Sequence, residues 1–466
     1  MKLTVFGAAR TVTGSMMLVE HGGKKLLLEC GTFQGRREES YYTNLNFPFN
    51  PAEIDAMILS HAHIDHSGNI PNLVKQGFRG NIYATNATVD LADIMLRDSG
   101  HIQEYDIRYL NKKRRNKNKP MLEPIYTQKD AIEAMPHFKM VWNDVAFEPI
   151  PGITARLVEA GHILGSTAIV LDYKNDAGED KRLWYSGDIG RNDMPILRDP
   201  VLPENVDTLI MECTYGDKPH ESLYDAYDEF VDAVNRTVSR GGKVIVPAFA
   251  VGRTQNLVYL LSEAIEKGDI PDIPVIVDSP LAVNASDLYR KHTECFDDET
   301  WQFIAEHRMQ GLDFHNIIFT RSVDESKALN DWKEPMIIIS ASGMAESGRI
   351  LHHLRNTIED GRNMILIISW QAPYTLGRRL ADQERKVHIF GEAFFRKAEV
   401  VTIGGLSAHA GQTMLLDYAE ASKESLEKLI LVHGEAFAAE AFMAKLAEAG
   451  GFPEPIYAEK GQTFDL

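Results

Sequence analysis

The sequence predicts a layered α/β fold. Short apolar runs of strand length alternate with helical stretches, and such runs indicate strands that are buried on both faces. Metal-binding and acidic side chains follow directly after several of these runs, as in the active sites of open α/β sheets. The predicted strands are Lys25–Leu28, Ala56–Leu59, Ala168–Tyr173, Thr208–Met211, Lys243–Val246, Val275–Val277, Met336–Ile339, Met364–Ile368 and Lys428–Val432.

Helical patterns separate the later strands. They include Thr254–Lys267 and Ala436–Ala449, and two glycines after Ala449 provide a stop signal for the second helix. The 466 residues are enough for two or three domains, each with its own core. The sequence shows no internal repeat, no coiled-coil heptads and no proline-rich linker.

The charge of the chain is acidic, with 49 Lys and Arg against 67 Asp and Glu and a formal net charge of −18. This balance argues against a protein that wraps nucleic acid by bulk charge, but an enzyme with a locally basic groove is compatible with it. One basic run, Lys112–Lys119 (KKRRNKNK), has two interpretations: a solvated linker or an electrostatic contact for a polyanionic substrate.

Cysteine usage and hydropathy predict a soluble, cytoplasmic protein. Three cysteines in so long a chain cannot form a disulfide framework. The N-terminal stretch lacks the apolar core of a signal peptide, and the apolar runs are far shorter than a membrane span. Cys30 and Cys213 each follow an acidic residue, and strand alternation predicts that they are buried structural thiols.

A dense group of metal-binding side chains follows the strand Ala56–Leu59. His61, His63, Asp65 and His66 lie within six residues, a spacing that is hard to explain structurally. A tight loop can aim the first two at one cation and the last two at a second cation ~3.5–4 Å away. The sequence therefore predicts a dinuclear metal site.

Three further residues after predicted strands would complete this site. His162 is the candidate for the first metal, Asp188 for a bridge between both, and His433 for the second. Imidazole and carboxylate ligands favour two zinc ions. A water bridging such ions becomes a hydroxide near neutral pH, which predicts hydrolysis as the reaction class.

These motifs, in this order, resemble the metallo-β-lactamase superfamily. Glu212 in MECTYG, His409 in LSAHA and His433 in LVHGE narrow the resemblance to its β-CASP branch of nucleases, over essentially the whole chain. The resemblance implies a four-layer αββα metallo-β-lactamase fold with an inserted α/β β-CASP domain. We expect the metallo-β-lactamase domain at residues 1–214 and 399–466, and the β-CASP domain at residues 215–398.

The resemblance also implies a zinc-dependent ribonuclease, most simply an endonuclease with some 5′-to-3′ exonuclease activity. Asp65, Glu212 and His409 would be catalytic: His409 would protonate the leaving 3′ oxygen, and Glu212 would orient it. Members that act on RNA carry a histidine at the position of His433, whereas DNA-repair members commonly carry an aliphatic residue. The expected partner is therefore RNA, in single-stranded form.

Several loops resemble the phosphate-contact loops of the family. They provide four candidate substrate-binding residues, namely Arg253, Ser342, Arg349 and Arg378. Two departures from the family pattern stand out. Glu29 replaces the usual Asp that supports the metal ligands, and Trp370–Thr375 contains bulky residues that suggest an altered groove wall.

Other functions are weaker alternatives. A DNA nuclease is disfavoured by His433, and a hydrolase of smaller esters by the long insertion. A catalytically inactive scaffold would have lost metal ligands, and here all seven are present. The sequence leaves open the natural RNA, the balance of internal and terminal cleavage, and the oligomeric state, a homodimer included.

Overall fold

The chain divides into two compact units. The computed structural model describes residues 1–35, 37–115, 119–220, 222–306, 317–369, 371–372 and 374–466. The first unit consists of residues 1–191, 199–219 and 409–466, and the second of residues 192–198 and 220–408. The domain bounds expected from the sequence stay predictions, and the units differ from them at 192–198, 215–219 and 399–408.

The elements follow one another in the order of the chain. The first part of the first unit contains β1 (Lys2–Val5), β2 (Met17–His21), β3 (Lys24–Leu28), α1 (Arg37–Leu45), β4 (Ala56–Ile58), α2 (Ile64–Ser67), α3 (Ile70–Lys75), β5 (Asn81–Thr85), α4 (Asn86–Arg115), α5 (Gln128–Ala134), β6 (Phe138–Val141), β7 (Phe147–Ile150), β8 (Ile153–Glu159), β9 (Thr167–Lys174), β10 (Asp180–Tyr185) and β11 (Thr208–Glu212). The second unit contains α6 (Leu223–Ser239), β12 (Val244–Pro247), α7 (Arg253–Lys267), β13 (Val275–Val277), α8 (Pro280–Lys291), α9 (Asp298–Glu306), β14 (Ile317–Phe319), α10 (Val323–Ala328), β15 (Ile337–Ser340), α11 (Ile350–Thr357), β16 (Met364–Ile367), α12 (Leu376–Ala381), β17 (Lys386–Ile389), β18 (Glu392–Phe395) and β19 (Glu399–Thr402). The chain ends in the first unit with α13 (Gln412–Glu420), β20 (Lys428–Val432), α14 (Ala436–Ala449), β21 (Ile456–Tyr457) and β22 (Gln462–Asp465).

The first unit is built on two seven-stranded sheets. Their strand orders are β22-β1-β2-β3-β4-β5-β6 and β21-β20-β11-β10-β9-β8-β7. Apolar side chains of both sheets form one shared core, in which Leu26 and Ile58 of the first sheet pack with Leu157 and Ile169 of the second. Helix α4 packs against β5 and β6, while α13 and α14 cover the other face of the second sheet. This αββα arrangement confirms the predicted fold.

Strand direction explains where the polar residues collect. β3, β4 and β5 run parallel, and so do β10, β11 and β20. Parallel strands end at the same edge of a sheet, so the residues that follow these strands are brought together. The continuous buried patterns of β4 and β11 fit their central positions.

The second unit is an α/β domain on a six-stranded sheet of order β14-β13-β15-β12-β16-β19, in which all pairs are parallel. A hairpin of β17 and β18 lies outside this sheet. Because β19 pairs with β16, residues 399–402 belong here rather than to the first unit. Residues 192–198 join it because the Ile196 amide donates to Thr300 and Leu197 bridges Phe296.

Several elements have the bounds that were predicted from the sequence. The strands Val275–Val277 and Lys428–Val432 and the helix Ala436–Ala449 are confirmed residue by residue. The helix predicted from Thr254 begins one residue earlier, at Arg253. Among the helices that the structure describes, none is both long enough and apolar enough to cross a membrane.

Candidate metal centre

The loop after β4 and the first turn of α2 carry four of the predicted ligands. His61 and His63 lie in the loop, and Asp65 and His66 lie in α2, where the His66 amide donates to the carbonyl of His63 at 2.9 Å. The chain at Gly31 passes directly beneath this turn. A Cβ atom there would lie 1.6 Å from the Asp65 carbonyl oxygen, so only glycine permits the close approach.

One cluster of donor atoms combines His61 and His63 with His162 and Asp188. Nδ1 of His63 lies 3.2 Å from Nε2 of His61 and 3.2 Å from Nε2 of His162. Oδ2 of Asp188 lies 3.4 Å from Nε2 of His61 and 3.5 Å from Nε2 of His162. Ligands ~2.05 Å from a tetrahedral zinc ion are roughly 3.3–3.4 Å apart. The four atoms therefore have the spacing of one tetrahedral cation site.

A second cluster lies on the other side of the same carboxylate. Asp65, His66 and His433 form this group, with Nε2 of His433 3.4 Å from Oδ2 of Asp65. Oδ1 of Asp188 lies 3.1 Å from Nε2 of His66. The two oxygens of Asp188 thus face different clusters, as the sequence-based bridging role requires.

The donor set fits a pair of metal ions. Oδ1 of Asp188 is buried, and its close contact with Nε2 of His66 at 3.1 Å does not have the geometry of a hydrogen bond. A buried carboxylate oxygen without a partner costs free energy unless a cation compensates it. The seven predicted ligands are all brought together in the first unit, and they are nitrogen and oxygen donors suited to divalent metals.

Glu29 and Ser60 support the histidines from behind. Oε2 of Glu29 lies 2.6 Å from Nδ1 of His66, so Nε2 of that ring is left to face the cluster. The Ser60 amide and hydroxyl donate to the same carboxylate at 2.7 and 3.0 Å. Ser60 Oγ also lies 3.0 Å from Nδ1 of His61. Although Glu29 is one methylene longer than the Asp usual at this position, its carboxylate thus contacts His66 in α2.

Sequence reasoning missed Ser60 and Thr214. Thr214 Oγ1 lies 3.1 Å from Nδ1 of His433 and donates to the carbonyl of the same residue. Both hydroxyls orient the imidazole of a predicted ligand. Their positions in the sequence could have identified them, because Ser60 directly precedes His61 and Thr214 follows Glu212 by two positions.

Electrostatics give His61, His63, His162 and Asp188 the protonation states that metal ligands need. Burial and the neighbouring His61 lower the pKa of His63 to about 3. Burial also lowers the pKa of His61 and holds that of His162 well below its usual value. Burial alone would raise the pKa of Asp188, but the surrounding imidazoles, that of His433 first, hold it well below its usual value. Neutral imidazoles and an ionised carboxylate are competent ligands at neutral pH.

His409 and Glu212 form a pair beside the metal ligands. Nδ1 of His409 lies 3.1 Å from Oε1 of Glu212, and the ring of His409 is 4.5 Å from that of His162, centroid to centroid. Glu212 is fully buried and also accepts the Ile189 amide at 2.6 Å. Burial opposes the charged form of His409, but the charge and hydrogen bond of Glu212 raise its pKa above the usual value. The imidazole is thus poised to hold a proton.

The cysteines next to the motif acids are buried, as predicted. Cys30 and Cys213 are both free thiols, and Cys213 Sγ donates to the Val432 carbonyl at 3.4 Å. Burial raises the pKa of both thiols. They are therefore poor nucleophiles and poor metal ligands.

The four predicted phosphate contacts lie in the second unit, and two of them have strong partners there. Arg253 is buried and donates to the Leu406 carbonyl at 2.6 Å. Arg349 donates to Asp278 at 2.6 Å and to the Arg321 carbonyl at 2.8 Å. These bonds fix both guanidinium groups, so their role with a phosphate stays a prediction.

The other two are more accessible. Ser342 accepts a hydrogen bond from the Glu346 amide, and Arg378 forms an exposed ion pair with Asp382. Their contact with substrate also stays a prediction. In the stretch that departs from the family pattern, Tyr374 is 95% exposed, while Trp370 and Pro373 lie outside the described residues.

Three family models match successive parts of the sequence. The metallo-β-lactamase superfamily matches residues 9–247, the β-CASP domain residues 254–380, and the Zn-dependent metallo-hydrolase RNA specificity domain residues 396–458. The third match contains two residues of the centre, His409 and His433.

Curated relatives match over most of the chain. Ribonuclease TTHA0252 of Thermus thermophilus is 36% identical over 93% of both chains. Transcription termination factor FttA of Methanocaldococcus jannaschii is 31% identical over 93% of this chain and 67% of its own. An RNase J-like protein of the same organism is 29% identical over 93% of both. A crystal structure of a protein of unknown function from Enterococcus faecalis shares the fold, with a TM-score of 0.55 and 14% identity over 100% of this chain and 99% of that one.

Proposed function

Since this chain belongs to the metallo-β-lactamase superfamily and to its β-CASP branch, we propose that it is a zinc-dependent ribonuclease. Its substrate would be single-stranded RNA, which it would cut internally by hydrolysis of phosphodiester bonds. A relative named as a ribonuclease, aligned over nearly the full length of both chains, supports this proposal. So does the match to an RNA specificity domain at residues 396–458.

The observation that carries the proposal is the pair of donor clusters that share Asp188. His61, His63 and His162 would hold one zinc ion, while Asp65, His66 and His433 would hold the other. When bound, such a metal pair supplies Lewis acidity toward the phosphate and makes water a nucleophile near neutral pH.

The proton for the leaving group would come from His409. Its Nδ1 is engaged by Glu212, so Nε2 is the atom that would deliver the proton to the 3′ oxygen. Glu212 fixes the ring and raises its pKa, which favours the protonated form before the bond breaks. The alkoxide that leaves when RNA is cut needs a proton from such an acid. The buried carboxylate of Glu212 beside His409 supports this role, because a histidine without a part in catalysis would not require that partner.

Cleavage of one labelled oligonucleotide tests the proposal. A 5′-labelled RNA and the DNA of the same sequence are incubated with the protein, and zinc is measured on the same sample. We expect about two zinc ions per chain and internal cuts in RNA, both of which decrease in Asp65→Ala. His388→Ala, which changes an exposed histidine on β17, is the matched control and should cleave normally.

The outcomes separate the alternatives. Cleavage of the DNA at least as fast as cleavage of the RNA would identify a nuclease that acts on DNA. Two bound zinc ions without cleavage of either polymer would contradict the nuclease and direct attention to smaller esters. The cytoplasmic location and a homodimer stay predictions; fractionation and sedimentation of the native protein would test them.

A further inference from the structure

A groove of about 780 Å³ lies along the second half of α4 in the first unit. One face of the helix lines it, through Ser99, Ile102, Gln103, Asp106, Ile107, Leu110 and Arg114. These residues recur at the spacing of a helical face that normally packs into a core. Here the face lines an open groove, and Ile102 is 44% exposed. The stretch spans roughly 22 Å at 1.5 Å per residue.

The opposite walls of the groove are held in place by hydrogen bonds. The Asn111 side chain bonds both the amide and the carbonyl of Leu122, at 2.9 and 2.8 Å. The Tyr41 hydroxyl donates to the Glu123 carbonyl at 2.9 Å. The Asn111 bonds fix the segment after α4 against that helix, and the Tyr41 bond fixes α1 against the same segment, so the groove is a built feature of the first unit.

Aromatic side chains extend the groove into a second cavity. This cavity, of about 300 Å³, shares Phe33 and Tyr42 with the groove and is also lined by Phe47. Tyr42 is 52% exposed, so its ring is accessible to a ligand. The Lys460 ammonium also lines this cavity and lies 4.7 Å from the centroid of the Phe33 ring. Aromatic rings and a cation thus line the same cavity.

The other end of the groove is basic as well. Arg114 and Lys119 line it, and Lys112 and Arg115 are exposed on the last turn of α4. One acidic residue, Asp106, also lines it. In a chain of net charge −18, such a concentration of positive charge indicates an anionic ligand. An exposed aromatic ring in a basic groove is a feature by which proteins bind single-stranded nucleic acid.

The groove begins beside the metal-binding turn. Ile64, which lies between His63 and Asp65, lines it together with Thr32. The Thr32 hydroxyl donates to the Ile64 carbonyl at 2.9 Å, so the wall of the groove and the ligand-bearing turn are directly connected. A strand held in the groove would therefore approach the centre from the side of α2.

We propose that this groove is an RNA-binding site separate from the metal centre. Bases stack on Tyr42 and its aromatic neighbours, while Lys119 and Arg114 contact the phosphates. This inference rests on the proposed ribonuclease function and adds a site that holds the part of the RNA away from the cut bond. It also gives a role to the described part of the basic run Lys112–Lys119, of which residues 116–118 lie outside the described residues.

Binding of RNA to metal-free protein tests the site without cleavage. The probe is a fluorescein-labelled 20-nucleotide oligouridine, and its anisotropy is measured in chelator at several salt concentrations. Tyr42→Ala should weaken binding roughly 5- to 150-fold, the effect of losing one stacked base, while Tyr42→Phe should bind normally. Lys119→Ala should lower the slope of log affinity against log salt by about 0.7.

Matched controls change similar side chains elsewhere. Tyr224→Ala removes a tyrosine that is 75% exposed, and Lys174→Ala removes a lysine whose side chain is 65% exposed. Both should bind RNA as the unmodified protein does. With zinc restored, the groove variants should cleave a tetranucleotide normally but show a raised KM for a long RNA.

The results distinguish this inference from the proposed function. If the unmodified protein cleaves RNA while Tyr42→Ala and Lys119→Ala bind and cleave long RNA normally, the groove site is wrong and the ribonuclease stands. If the unmodified protein neither binds nor cleaves RNA, the ribonuclease itself is wrong. A labelled Leu/Glu peptide is a further probe. If Tyr42→Ala loses binding of this peptide but still binds RNA normally, the groove binds a protein partner and the proposed RNA site is wrong.

Discussion

Replacing Glu29 by Gln tests how much the buried carboxylate contributes to metal binding. Glu29 receives the Ser60 amide and hydroxyl and contacts Nδ1 of His66 at 2.6 Å. The amide of Gln keeps one acceptor oxygen but places an NH2 group where the charged oxygen met the imidazole. A hydrogen bond to a charged group contributes about 1.5–3 kcal/mol, which is roughly 10- to 150-fold in affinity. Partners of metal-binding histidines typically contribute a similar factor, about 10- to 100-fold.

The assay is competition for zinc between the metal-free protein and a chromophoric chelator. We expect Glu29→Gln to bind the second zinc ion 10- to 100-fold more weakly, and Glu29→Asp to lie between it and the native protein, because that carboxylate is one methylene shorter. Glu399→Gln is the control. It loses a carboxylate that pairs with Arg236 and Arg240 in the second unit, and its zinc affinity should not change. Native zinc affinity in Glu29→Gln would refute the supporting role of this residue.

Three further predictions concern other parts of the structure. His409→Ala should keep its zinc but lower kcat about 10²- to 10⁴-fold, since a general acid is lost; full activity with bound zinc would exclude that assignment. Asp278→Asn should lower the free energy of unfolding by about 3–5 kcal/mol at pH 7, because the half-buried Arg349 and the buried His353 lose the charge of their fully buried carboxylate. Burial opposes the charged form of Asp278, but hydrogen bonds, that of His353 first, lower its pKa. The stabilisation that the ionised Asp278 provides is therefore fully present above the pKa of an Asp carboxyl in the unfolded chain, ~4, and is lost as the pH falls below that value. In denaturant titrations the gap between native and variant protein should narrow from pH 4 downward, and a constant gap would contradict the argument. Gly31→Ala should displace the ligand-bearing turn, since its Cβ would lie 1.6 Å from a carbonyl oxygen, and zinc content after purification should fall; two tightly bound zinc ions would show that the turn adapts.

Much of the fold could be predicted because strands buried on both faces leave a direct signal in the sequence. The run Val275–Val277 is continuously apolar, the run Lys428–Val432 is apolar after its first residue, and their bounds are those of β13 and β20. Several strands with exposed positions were not predicted. In the hairpin, β17 alternates exposed and buried residues over only four positions, and none of the four residues of β18 is buried, so neither pattern can be separated from a loop.

The metal centre was predictable for a similar reason. His61, His63, Asp65 and His66 are neighbours in the chain, so their proximity needs no knowledge of the tertiary structure. The distant ligands became candidates because each follows a strand or strand-like run, and the ends of parallel strands meet at one edge of a sheet. Ser60 and Thr214 were missed because a hydroxyl beside a motif is common and only its distance to an imidazole shows its role.

The sequence by itself therefore determined the layered fold, the candidate ligands of the centre and the family to which the chain belongs, because these depend on local patterns and on residue identity. Only the tertiary structure decided that the two oxygens of Asp188 face different clusters, that Arg349 is bound to Asp278, and that one face of α4 lines a groove instead of a core. A helical face has the same periodicity whether it is covered or open. Segments far away in the chain decide which of the two it becomes, and their positions follow from packing over the whole unit.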